Sequence, residues 1–174
     1  MRNPCGRFLT ATSILAIFLL SSCRDSTQKT AVGTFNMGER AQVGSLIYTV
    51  FDTQWAISLG EQPNQRIPKN RFFIVNFSVV NSGNQSASVP TLSLVDDAGV
   101  IYQEVENVEG APNWLGPIRT VRPADSVQGT VVFDVPTERF KLRISDEEDR
   151  FAYVAIPLSL GEQSPDLMPK GASR

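Results

Sequence analysis

Apolar and polar residues alternate singly along most of this chain, the period of an extended strand. Residues 71–81 read RFFIVNFSVVN. Phe73, Val75, Phe77 and Val79 share one face, and Asn76 and Ser78 lie on the other. Phe72, Ile74 and Val80 make the second face partly apolar too, which predicts a central strand with something covering it. Residues 127–135 repeat the alternation, with Val127, Val131, Phe133 and Val135 inward and Gln128, Thr130 and Asp134 outward. Pro136 ends that strand. Phe140, Leu142 and Ile144 alternate against Lys141 and Arg143, and residues 151–156 form a last strand closed by Pro157. Residues 46–52 (LIYTVFD) begin another, with Leu46, Tyr48 and Val50 on one face. Trp55, Ile57 and Leu59 follow in the opposite phase, so a bulge near Asp52-Thr53 is expected, with Trp55 in the core.

Turn signals separate these runs. Residues 61–70 carry two prolines and no period, the pattern of a loop. Asn81-Ser82-Gly83-Asn84 reads as a turn. Asp96-Asp97-Ala98-Gly99 reads as a hairpin connection between a strand holding Leu92 and Leu94 and the stretch Val100-Ile101-Tyr102. Residues 103–122 are irregular and rich in Glu, Gly and Pro. Short strands, frequent turns and no amphipathic helix predict an all-β fold, an antiparallel β-sandwich of about seven to nine strands over residues 33–160. Residues 161–174 read as a frayed polar tail.

The first 22 residues have a different character. Arg2 and Arg7 precede an uncharged run at 8–20, which ends in Leu20-Ser21-Ser22-Cys23. Thirteen residues of helix reach about 20 Å, short of the ~30 Å hydrocarbon core of a bilayer. A secretory signal peptide therefore fits better than an uncut transmembrane anchor. Leu at −3, small residues at −2 and −1, and Cys at +1 resemble the lipobox of bacterial lipoproteins. The Cys23 thiol is the nucleophile that such a site alkylates with a diacylglyceryl group, and the amine freed by cleavage takes a further chain of the palmitate type. Each buried CH₂ contributes about 0.8 kcal/mol, so two or three chains anchor firmly where one does not. Residues 23–32 then read as a flexible tether.

Composition narrows the chemistry. The two cysteines are Cys5, which leaves with the leader, and Cys23, so the mature fold has no disulfide to rest on. Removal of Arg2 and Arg7 takes 16 basic residues to 14 against 18 acidic, a net charge of −4. A mildly acidic protein lacks the basic stripe that nucleic acid requires. The chain has no histidine, which excludes Ser-His-Asp and Cys-His catalysis and histidine-based zinc sites. The acidic stretches at 96–97 and 146–149 offer oxygen ligands, but neither has EF-hand spacing, and they read as solvated turns. Glu104, Glu106 and Glu109 read as a solvated face. Trp114 and Leu115, inside the irregular segment, are candidates either for an interaction loop or for packing over the end of the sandwich.

Four stretches together, L-I-Y-T-V (46–50), R-F-F-I-V-N-F-S-V-V-N-S-G (71–83), L-V-D-D-A-G-V-I-Y (94–102) and R-P-A-D-S-V-Q-G-T-V-V-F-D-V-P (122–136), resemble an immunoglobulin-like (telokin-like) domain of unknown function found in bacterial lipoproteins and secreted proteins. That family is related in fold to an immunoprotective secreted antigen. Its strand end V-x-N-x-G is one residue tighter here, V-N-S-G at 80–83. Its usual Pro-Gly-Glu turn is Pro123-Ala124-Asp125. The resemblance implies an immunoglobulin-like sandwich and an exported location, and no activity. The expected function is that of a non-enzymatic, lipid-anchored envelope protein that presents the domain to a protein or envelope partner, at the outer membrane if the cell has two. The alternative is a small-molecule or metal-ion binder using residues 103–122. An enzyme working with carboxylates alone is a third possibility. No cofactor is expected.

Overall fold

The structure, a computed structural model, describes residues 31–108 and 110–158. The leader, Cys23, residues 159–160 of the expected sandwich and the whole tail at 161–174 lie outside the described residues, as does the tether up to residue 30.

The described residues form eleven strands and no helix: β1 (Ala31–Asn36), β2 (Ala41–Val43), β3 (Leu46–Ala56), β4 (Arg71–Asn81), β5 (Ala87–Ser88), β6 (Ser93–Asp96), β7 (Ile101–Gln103), β8 (Thr120–Val121), β9 (Ser126–Val135), β10 (Phe140–Ser145) and β11 (Phe151–Ile156). They make a five-stranded sheet in the order β1-β11-β10-β6-β7 and a four-stranded sheet in the order β2-β3-β4-β9. A third ladder joins β5 and β8. All pairings are antiparallel except that of β1 with β11. The fold is an all-β sandwich. Four of the eleven strands are only two or three residues long, too short for any alternation to announce them.

The core lies between the two larger sheets. Leu46, Tyr48, Val50, Phe73, Val75, Phe77, Val131 and Phe133 meet Leu94, Leu142, Ile144 and Val154, all buried. Trp55 packs on Phe73, with ring centroids 4.5 Å apart. The Tyr48 hydroxyl donates to the Ser145 carbonyl at 2.6 Å and ties β3 to β10 across the core. Burial, the largest influence on this phenol, holds its pKa well above the ordinary value, so it is a neutral donor.

The expected change of phase in β3 is present. Val50 pairs with Phe77 and Asp52 with Asn76, which leaves Phe51 as the extra residue of a bulge. Beyond it Thr53 and Trp55 face the core, while Asp52 and Gln54 turn outward. Ile57 departs from the expected inward phase. The strand ends at Ala56, and Ile57 is 71% exposed. Leu59 is buried, but in a second apolar cluster separate from the main core.

Candidate functional site

The covering of the four-stranded sheet creates the surface of interest. Phe72 and Ile74 of β4 and Val132 of β9 are buried on its outer face together with Leu59 and Val108, and Ala56, Val105, Ala111 and Trp114 pack around them. This is the cover that the two-sided apolar character of β4 demanded. Two loops provide it, the segment after β3 and the long connection between β7 and β8.

The long connection docks on β9 through backbone bonds. The Val105 N–H donates to the Val132 carbonyl at 2.8 Å, the Thr130 N–H to the Asn113 carbonyl at 2.9 Å, and the Leu115 N–H to the Thr130 carbonyl at 3.2 Å. The Thr130 hydroxyl donates to the Pro112 carbonyl at 2.6 Å. Gly129 permits the approach, because a Cβ there would lie 2.4 Å from the Asn113 oxygen and 2.6 Å from the Leu115 side chain. Asn113 itself adopts a left-handed conformation, φ 51°. Trp114 is half-buried against the second cluster and Leu115 half-buried against the main core. Ile118, in the same connection, is 89% exposed.

A buried ion pair pins the two ends of this connection. Arg119 Nη2 lies 2.5 Å from Glu104 Oε2, the side chains being 2% and 7% exposed. The other Glu104 oxygen accepts from the Leu92 N–H, and Arg119 Nε donates to the Gly116 carbonyl at 2.8 Å. Burial raises the Glu104 carboxyl above its ordinary value and outweighs the lowering by Arg119 and the Leu92 N–H. Glu104 thus departs from the expected solvated face, because Arg119 and the Leu92 N–H just before β6 engage it. Glu106 is exposed as expected, and Glu109 lies outside the described residues.

The two acidic turns prove to be one structure used twice. Asp96 Oδ1 accepts from the N–H groups of Ala98 and Val100 at 2.9 and 2.8 Å. Asp146 Oδ1 accepts from those of Glu148 and Arg150, both at 3.0 Å. Gly99 and Asp149 take the left-handed conformation at the same place in each turn. The carboxylates satisfy their own turns, as Asx turns do. Asp146 is buried rather than solvated, and its Oδ2 accepts from Arg150 Nε at 2.6 Å. Among the described residues no three His, Cys, Asp or Glu side chains group as metal ligands do.

Sequence reasoning did not single out a row of polar side chains crossing the outer face. Asp52, Asn76 and Thr130 are paired in register across β3, β4 and β9. Gln54 follows on β3 beside Ile74. With Pro112 and Asn113 as a wall, these residues line an open depression of about 130 Å³. Each is an ordinary outward residue of a strand, and only the register and the docked loop bring them together.

The chain matches no curated protein. Solved structures share its fold. One is the yjhA protein of Bacillus subtilis, with TM-score 0.56 and 16% identity over 71% of this chain and 99% of that one. Another is the secreted protein MPT63 of Mycobacterium tuberculosis, with TM-score 0.52 and 15% identity over 71% of this chain and 96% of that one. A third, ycdA of Bacillus subtilis, is described as a lipoprotein candidate; TM-score 0.53 and 14% identity extend over 68% of this chain and 38% of that one. Residues 35–152, nearly the whole described sandwich, match the domain of unknown function DUF4352, and the chain belongs to that family.

Proposed function

We propose that this protein is an exported lipoprotein, anchored through Cys23, whose immunoglobulin-like sandwich is a non-enzymatic display domain for a protein or envelope partner. The observation that carries the reading is Leu20-Ser21-Ser22-Cys23, placed at the end of an uncharged run behind two arginines. Similarity in fold to a secreted protein and to a lipoprotein candidate is in keeping with it. A role without catalysis draws support from the way most atoms of the buried ionisable groups are engaged, Arg119 Nη1 being the buried side-chain nitrogen left without a partner among the described residues. Glu104 and Arg119 hold the long connection, Asp146 holds a turn, and Tyr48 bridges the sheets. The exposed Ile118, four residues after the half-buried Trp114 in the same connection, suits a protein contact.

The test is fractionation of cells expressing the full chain and its Cys23→Ala variant. The native protein should sediment with membranes and partition into detergent, and the variant should appear in the soluble fraction. A variant that stays with the membrane would overturn the anchoring.

A further inference from the structure

We infer that the outer face of the four-stranded sheet carries a binding site for the vicinal hydroxyls of a neutral carbohydrate chain. The site is the depression over Asp52, Gln54, Ile74, Asn76, Asn113 and Thr130.

Three features build it. The bulge at Phe51 reverses the phase of β3, so that Asp52 and Gln54 face outward instead of into the core. The register then sets Asp52, Asn76 and Thr130 in one transverse row, with neighbours roughly 5 Å apart. The long connection, seated on Gly129 and Thr130, holds Asn113 as a wall in a left-handed conformation. Strained backbone of this kind concentrates at ligand sites.

The polar side chains of the depression are engaged in part: the Thr130 hydroxyl donates to the Pro112 carbonyl and Gln54 Nε2 donates to Asp52 Oδ2 at 3.1 Å. The second Asp52 oxygen, the Gln54 carbonyl and the Asn76 and Asn113 amides make no side-chain bond among the described residues. Asn76 is half-buried, and its amide opens onto the depression.

The inventory selects the ligand. Primary amides offer a donor and an acceptor side by side, and a carboxylate accepts two hydrogens. Neighbouring hydroxyls of a sugar present the complementary pair, each donating and accepting. Ile74, mostly spent in the second cluster, leaves a small apolar edge in the floor for a C–H group. Asp52 is the single charge in the lining and is negative, which disfavours phosphorylated or uronic-acid polymers. An extended peptide exposes its groups along its backbone and pairs with a strand edge, whereas these side chains stand on a sheet face. The inference does not depend on the lipid anchor.

The experiment titrates the full mature chain with maltotetraose, with the tetramer of N-acetylglucosamine and with calcium chloride, following the side-chain NH₂ resonances of Gln54, Asn76 and Asn113 by NMR. Saturable shifts confined to this face are expected with one of the two sugars. The one that binds separates a plain glucan from an N-acetylated wall glycan. Asn76→Ala should weaken binding about tenfold, the effect of removing a directly bonded partner, with its melting temperature unchanged. Asp52→Asn, which keeps the shape of the site, should also weaken it. No saturable shift with either sugar, undiminished binding by folded Asn76→Ala, or a response to calcium alone would each overturn the inference.

Discussion

Glu104 and Arg119, fifteen positions apart at the two ends of the long connection, meet in a buried ion pair 2.5 Å long. The connection has no regular structure of its own beyond its docking on β9, and ordering it costs conformational entropy. Pinning its ends shortens the segment that the remaining contacts must order. The pair is not interchangeable with two neutral residues one at a time, because Glu104 also takes the Leu92 N–H. Removing Arg119 leaves a buried carboxylate without its countercharge. Arg119→Met should therefore cost about 3–5 kcal/mol. Glu104→Gln should cost less, and the double variant less than the sum. A urea double-mutant cycle measures the coupling; strictly additive losses would show that the pair does not act as a unit.

The same carboxyl gives a pH dependence. Burial raises Glu104 above the ordinary 4.5 in the folded protein. The folded state therefore binds the proton more tightly than the unfolded one. This group's contribution to stability is fully present below the unfolded value and is lost as pH rises through the folded value. Urea midpoints followed upward from about pH 4.5 should contain a falling component that Glu104→Gln abolishes. An identical pH profile in that variant would refute the assignment.

What the residues announce by themselves is the framework. The alternation in β3, β4, β9, β10 and β11 is strong because one face of each is buried, and the apolar second face of β4 required a cover. The shorter strands β2, β5 and β8 have too few residues to show a period and exist through their partners. Glu104 was unreadable for a related reason. A glutamate in an irregular segment is indistinguishable from a solvated one until the fold returns Arg119 to it. Ile57 failed because alternation says nothing about where a strand stops. The polar row Asp52, Asn76 and Thr130 depends on inter-strand register, which single-strand patterns do not contain.

The V-N-S-G strand end has a physical cause in Asn81. This fully buried side chain donates to the Gln85 and Val121 carbonyls at 2.7 and 2.9 Å and accepts from the Gly83 N–H at 2.9 Å. It joins the end of β4 to β8. Asn81→Ala leaves the buried Val121 carbonyl and the partly buried Gln85 carbonyl and Gly83 N–H without this partner and should cost about 1–3 kcal/mol. Asn81→Asp should be at least as damaging, because a carboxylate has no hydrogens for the two carbonyls. A loss below 1 kcal/mol, on the order of one ordinary hydrogen bond, would mean that the turn repacks.

Gly44 and Asp146 lock one hairpin against another. Gly44, φ 59°, stands in the two-residue turn between β2 and β3. A Cβ there would fall 2.2 Å from Asp146 Oδ2 and 2.5 Å from Arg150 Nη2. Gly44→Ala meets both a left-handed backbone and a displaced ion pair, and should lower stability by about 2–3 kcal/mol. Asp146→Asn keeps its one oxygen for the Glu148 and Arg150 N–H groups but sets an NH₂ against the Arg150 guanidinium, so it loses that charged bond altogether and should cost about 1.5–3 kcal/mol. Thermal unfolding of the two variants measures both losses, and a Gly44→Ala protein as stable as the native one would place the strain elsewhere.

Gly129 decides whether the long connection stays on the sheet. In β9 an alanine costs the ladder nothing, since Gly129 pairs with Phe77 in regular register. The added methyl would instead meet the Asn113 carbonyl and the Leu115 side chain. Relieving that contact lifts residues 113–115 and breaks their bonds with Thr130, while Glu104 and Arg119 still hold the ends. Gly129→Ala should lose about 1–3 kcal/mol, the usual cost of overpacking, and still unfold in one cooperative step. Trp114 would leave the second cluster for water. In a Trp55→Phe background, which leaves Trp114 as the one tryptophan of the chain's two, its emission should move to the red, and the Thr130 amide should exchange faster with solvent. Unchanged emission together with a still-protected Thr130 amide would show that the connection is held by its apolar contacts and not by the space that Gly129 provides.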